Sequence, residues 1–184
     1  PKIPLPRDLY GVDRANSAGI DLTNEHRLAS LSCALLATAN TEWVATPMLG
    51  GGGRSGEVKP VRNPSDLRDI VGHVQPADLE DVEQALGHAT SAAPIWQATP
   101  VSERAQIMER AADLMEADIQ PLMGLLVREA GKTFANAIAE VREAVDFLRY
   151  YATQARKEFT NDAHRPLGPV VCISPWNFPL AIFT

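Results

Sequence analysis

The sequence predicts an α/β fold in which a helix-rich portion leads into the first parallel strand of a larger sheet. Three observations predict it. Helical periodicity dominates residues 77–159, a continuous apolar run at 169–174 follows without alternation, and that run ends in a proline-bracketed turn, Pro175-Trp176-Asn177-Phe178-Pro179. A strand apolar at every position is covered on both faces, whereas a half-exposed strand alternates. A chain of 184 residues is long enough to bury a core of its own.

In chain order, residues 1–22 carry Pro1, Pro4, Pro6, Gly11 and Gly19 and read as an extended linker, not a packed element. From Thr23 to about Ala45, the residues Leu28, Leu31, Leu35 and Leu36 recur at helical spacing, with Thr23 or Asn24 as N-cap. Pro47 and the glycines at 50–53 break the chain, so residues 23–55 form a helix and a glycine-rich connector. Two extended pieces follow at 57–62 and 69–74, divided by the turn signal Asn63-Pro64-Ser65.

The next helix runs over about 77–93 with Leu79, Val82, Leu86 and Ala89 on one face. Thr99 then caps a helix that opens on Pro100 and turns Ile107, Met108, Ala111, Met115 and Ile119 to a core. Pro121 starts a third helix, stopped by Gly131. The longest begins near Thr133, its apolar positions Phe134, Ile138, Val141, Val145, Leu148, Ala152, Ala155 and Phe159 stepping by three and four. Residues 160–168 connect it to the apolar run.

Composition narrows the function classes. Net charge is −6 and pI about 5.2, which speaks against a nucleic-acid-binding surface. No apolar stretch reaches membrane-spanning length, and the N-terminus has no signal-peptide core. Its missing methionine suggests an interior excerpt of a longer protein. The two cysteines lack metal or disulfide spacing, so no metal site is expected and a reducing cytoplasm fits.

Residues 51–56 formally match GxGxxG, but the dinucleotide fingerprint needs a strand before it and a helix after it, so a flexible linker is expected. Gly131-Lys132-Thr133 resembles the end of a phosphate loop, yet Leu126 stands where that loop requires glycine. It reads as a helix stop followed by an N-cap. Cys172, between Val171 and Ile173, reads as a small core residue, and His26, His73, His88 and His164 as surface or capping groups.

The turn after the apolar run carries the chemistry. Ligands of open α/β sheets bind beyond the carboxyl ends of the strands. Pro175 and Pro179 fix two φ angles and stiffen the turn. Asn177 then offers a carboxamide N–H from a rigid support, as an oxyanion hole requires, with Trp176 packed nearby to exclude water. The spacing equally allows Asn177 to cap a helix beginning at Pro179.

The segment GPVVCISPWNFPL closely resembles the first strand and following turn of the NAD-binding domain in aldehyde dehydrogenases. EAGKT and AEVREAVDFLRYYA resemble that family's helices in the same order, and the likeness covers residues 56–184. The resemblance implies a Rossmann-type NAD domain with Asn177 helping to hold the oxyanion of the thiohemiacetal. It puts Ile173, Ser174, Pro175 and Trp176 along the ribose side of NAD, and Phe178 in the aldehyde pocket. Residues 156–168 match an arm used in subunit pairing, so a homo-oligomeric parent is implied.

PRDLYG, RANSAGIDL and NEHRLASL resemble the stretch joining the two enzymes of the bacterial proline utilization A family. That implies an FAD-dependent proline dehydrogenase before residue 1, and an NAD-dependent dehydrogenase acting on L-glutamate γ-semialdehyde, with Glu143 near its pocket. A solvated helix charge is the alternative for Glu143. The family's nucleophilic cysteine, general-base glutamate, cofactor-binding lysine and glycine-rich turn fall beyond Thr184, so these residues alone are expected to be inactive. The competing readings are a non-catalytic helical interaction module, or another aldehyde dehydrogenase such as one acting on succinic semialdehyde.

Overall fold

The computed structural model describes residues 2–49 and 56–184. Nearly all of the glycine-rich segment therefore lies outside the described residues. After a short 3-10 turn at Pro6–Asp8, the elements are α1 (Glu25–Thr38), β1 (Trp43–Ala45), β2 (Lys59–Asn63), β3 (Asp66–Val74), α2 (Leu79–Ala98), α3 (Val101–Ala117), α4 (Ile119–Ala130) and α5 (Phe134–Glu158). The result is helix-rich with a small mixed sheet.

The spine is α5, with α3 and α4 packed against it, α1 on the far side of α4, and the sheet against α4 as well. Leu31, Ala112, Met123, Leu126, Ala137, Ile138, Val141, Val145 and Leu148 form the core between these helices. Small residues where α5 meets its neighbours, Ala137, Ala144 and Ala152, are wholly buried and let the helix axes approach closely. Asn24 caps α1, Thr133 caps α5, and Asp78 with Asp81 makes a reciprocal capping box on α2.

The sheet runs β1-β3-β2, β1 parallel to β3 and β2 antiparallel to it. The hairpin turn is the one Asn63-Pro64-Ser65 predicted, the Asn63 side chain accepting from Ser65 N–H at 2.9 Å. Gly72 stands opposite Trp43, and a Cβ there would lie 2.1 Å from the Trp43 carbonyl oxygen, so the close approach of β1 demands glycine. The sheet is fastened to α4 by Arg128, whose guanidinium pairs with Asp69 at 2.7 Å and reaches the carbonyls of Thr41 and Ile70. Arg128, with Asn63, holds the Asp69 carboxyl below the usual carboxylate range.

Several expectations change. The first helix stops at Thr38, and β1 occupies 43–45, where an unbroken helix to Ala45 was expected. Helix α3 begins at Val101 with Pro100 as its N-cap, while Thr99 ends α2. On α2 the apolar face stays open, Leu79, Val82 and Leu86 all being exposed. Residues 169–174 form no strand, and Val170, Val171, Cys172 and Ile173 are exposed. A strand needs neighbours for its N–H and C=O groups, and none pairs with this run among the described residues. Cys172 is thus no core residue here.

Residues 2–22 are also not an unpacked linker. Asn16 and Ser17 are buried, and Ile20 and Leu22 pack against the core.

Met123 is fully buried, whereas Leu167 is 99% exposed. Met123→Ala should lower unfolding stability by about 2–5 kcal/mol in urea denaturation, and Leu167→Ala by under about 0.5 kcal/mol.

Candidate functional site

The site is assembled around the N-terminal half of α5. Gly131 ends α4 with a φ of 65°, a left-handed stop, and the chain turns through Lys132 into the Thr133 cap. The buried stripe of α5 contains Ala137, Ile138, Val141, Ala144 and Val145, and Glu140 falls inside it at 2% exposure. A carboxylate so placed is costly unless paired and hydrogen-bonded.

Glu140 is paired on both oxygens. Its Oε1 accepts from Leu180 N–H at 2.9 Å and from Ala181 N–H at 3.4 Å. Its Oε2 lies 3.0 Å from Lys132 Nζ, its only partner among the described residues. The same ammonium donates to the Asn177 carbonyl at 2.7 Å and sits 4.4 Å from the centroid of the Phe178 ring. Thr184 N–H donates to the Leu180 carbonyl at 3.1 Å, so the chain after Pro179 forms one helical turn whose open N–H groups face the carboxylate. Lys132 thus holds the backbone within the Pro-Trp-Asn-Phe-Pro turn, and Glu140 holds the backbone just after it.

The predicted site residues therefore divide. Asn177 and Phe178 stand on a held backbone, the Asn177 side chain exposed and Phe178 38% exposed. Ile173 and Trp176 are 93% and 88% exposed, so Trp176 shields nothing here. Pro175 is exposed and Ser174 half-buried. Glu143 is exposed on α5 and lines a groove of about 350 Å³ with Phe147, Tyr151, Ala181 and Ile182. It thus lies beside the turn that follows Phe178, but Phe178 does not line that groove.

Sequence reading missed Lys132 and Glu140. The available signal was a glutamate within the apolar stripe of α5, three residues after Ala137 and one before Val141, where a solvated charge does not belong.

On the opposite flank of Glu143 the N-terminal segment is docked. Ser17 donates through N–H at 2.9 Å and through Oγ at 2.6 Å to the two Asp146 carboxylate oxygens. Arg14 pairs with Asp146 at 3.3 Å and lies 3.7 Å from the Tyr10 ring centroid. Arg142 donates to Ser17 Oγ, and Lys157 pairs with Asp13 at 2.7 Å. Arg14, Glu143, Asp146, Phe147, Tyr150 and Tyr151 line a second groove of about 380 Å³. Ala18 N–H donates to Glu116, which Arg149 also holds at 2.8 Å.

Beyond α5, Asn161 donates to the carbonyls of Gln97 and Thr99, which staples the connector to the α2–α3 junction. Among the described residues no cluster of metal ligands occurs, and no helix is long and apolar enough to cross a membrane.

A profile of the aldehyde dehydrogenase family matches residues 53–184. The chain belongs to the aldehyde dehydrogenase family. It is 67% identical over all 184 residues to the bifunctional protein PutA of Escherichia coli strain K12, and spans 14% of that protein's length. The structure of proline utilization A from Bdellovibrio bacteriovorus inactivated by N-propargylglycine superposes with a TM-score of 0.81 at 29% identity, over 98% of this chain and 20% of that one. A 1-pyrroline-5-carboxylate dehydrogenase from Thermus with bound NAD superposes with a TM-score of 0.80 at 28% identity, over 94% of this chain and 37% of that one. The Lys132–Glu140 clasp and the turn it holds fall inside the aldehyde dehydrogenase match. The docked segment before α1 falls outside it, yet within the PutA similarity.

Burial pushes the Glu116 carboxyl up. The hydrogen bonds from Arg149 and Ala18, with the charges of Arg149 and Arg7, nevertheless hold it below the usual carboxylate range. A depressed carboxyl stabilises the fold fully above its unfolded pKa and loses that contribution as pH falls through the lower folded value. Below about pH 4, amide-exchange protection at Ser17 and Ala18 should therefore fall before that of the α5 core. Unchanged protection of these two amides down to global acid unfolding would contradict the assignment.

Proposed function

We propose that this chain is the opening part of an NAD-dependent dehydrogenase that oxidises L-glutamate γ-semialdehyde, formed from pyrroline-5-carboxylate, to L-glutamate. Its parent also carries an FAD-dependent proline dehydrogenase. The observation that carries this reading is the N-terminal segment. Its likeness to PutA continues through residues that precede the family match. The same residues dock on α5 beside Glu143, which gives them a structural reason to belong to the dehydrogenase.

In this reading Asn177 donates its carboxamide N–H to the oxygen of the substrate as negative charge develops there. Its value lies in fixed position. Pro175 and Pro179 restrict the backbone, and Lys132 holds the Asn177 carbonyl at 2.7 Å, so the donor need not reorganise as the charge appears. Phe178 supplies an apolar wall and Glu143 a charge facing the substrate's polar end.

The residues also fit a bound dinucleotide. Ile173 and Trp176 present open apolar faces on an exposed stretch of backbone, which suits contact with a ribose and a flat ring. NAD, when bound, would supply the acceptor for the hydride that leaves the aldehyde carbon as it is oxidised. Ile173, Ser174, Pro175 and Trp176 would hold it. A cytoplasmic, homo-oligomeric parent completes the proposal, with residues 156–168 as the pairing arm and residues 1–22 as the connection between the two enzymes.

Three experiments test this. The isolated 184 residues, given glutamate semialdehyde and NAD, should yield no NADH above background, and measurable turnover would refute the division of labour. In the full-length protein, Asn177→Ala should lower kcat by about 10²- to 10³-fold. Glu143→Ala should raise KM for glutamate semialdehyde, and unchanged kinetic constants would remove Glu143 from the pocket.

A further inference from the structure

We infer that Lys132 and Glu140 are positioning residues for catalysis, acting on the oxyanion donor through the backbone of the turn that carries it. The inference rests on the proposed role of Asn177 and deepens it.

The clasp is more than a helix cap. A carboxylate on Leu180 and Ala181 N–H would by itself satisfy the turn's open donors. Here a second charge is added, Lys132, whose side chain is only 15% exposed and which spans from Glu140 Oε2 to the Asn177 carbonyl. An ammonium has three donors. One is spent on the carbonyl of the residue proposed to bind the oxyanion, while the ammonium's charge pairs with the buried carboxylate at 3.0 Å and lies against the Phe178 ring.

The two anchors differ in origin. Glu140 is set by its place in the buried stripe of α5, between Ile138 and Val141 in sequence. Lys132 is set by the left-handed Gly131 stop and the Thr133 cap, which fix the short link between α4 and α5. The position of the Asn177 peptide is thereby referred to the helical core and not to the exposed run at 169–174. The Lys132 charge also withdraws electron density from the carbonyl of Asn177, which favours a single peptide orientation.

A double-mutant cycle in the full-length enzyme separates positioning from mere stability. Lys132→Met should lower kcat at least tenfold with KM for NAD unchanged. In that background Asn177→Ala should cost less than tenfold further, because the donor has already lost its aim. Should Lys132→Met fail to give folded protein, Glu140→Gln carries the same cycle, since it keeps an acceptor for Leu180 N–H but drops the charge that holds the ammonium. If Asn177→Ala costs its full factor in both backgrounds, the positioning role is overturned while the role of Asn177 stands. If Asn177→Ala costs nothing in the otherwise unaltered enzyme, the oxyanion assignment falls, and the positioning role falls with it.

Discussion

A buried carboxylate, Glu140, is the constraint on which the rest of the arrangement depends. It occupies an apolar stripe, and removing its partner would leave an uncompensated charge at a cost of about 3–5 kcal/mol. That penalty makes the Lys132 ammonium obligatory at this place, and with it the left-handed turn at Gly131 that delivers the lysine. It also fixes the segment after Pro179, whose N–H groups complete the carboxylate's hydrogen bonding. The link between α4 and α5 and the segment after Pro179 are thus held to one point on α5.

The helix α5 serves two surfaces at once. Its first two turns hold the proline-bracketed turn, and the stretch after them, through Arg142, Asp146 and Thr153, receives the segment before α1. Glu143 lies between these surfaces and borders a groove on each. A single rigid element therefore fixes the distance between the docked N-terminal segment and the candidate oxyanion donor.

Much of the fold was legible because it obeys local rules. The period of α5, the Gly131 stop that ends α4 and the Asn63-Pro64-Ser65 turn follow from spacing and turn chemistry. What was not legible depends on partners. Strand β1 is three residues long with no alternation to betray it, and exists because β3 offers a parallel edge and Gly72 the room. The run at 169–174 has the composition of a buried strand but no neighbour to pair with, so it stays open. At the site, the Asn177 turn was visible from its prolines, whereas Lys132 and Glu140 looked like ordinary helix charges. Only the phase of Glu140 on α5 distinguishes it, and that becomes evident once the stripe is known to be buried.

The bond between Ser17 and Asp146 joins residues separated by 129 positions. During synthesis at about 5–20 residues per second, the N-terminal segment must therefore wait on the order of ten seconds for its binding helix to be made. In that interval its polar groups face water. The docking of this segment on α5 is then a late step, and one that the ribosome times.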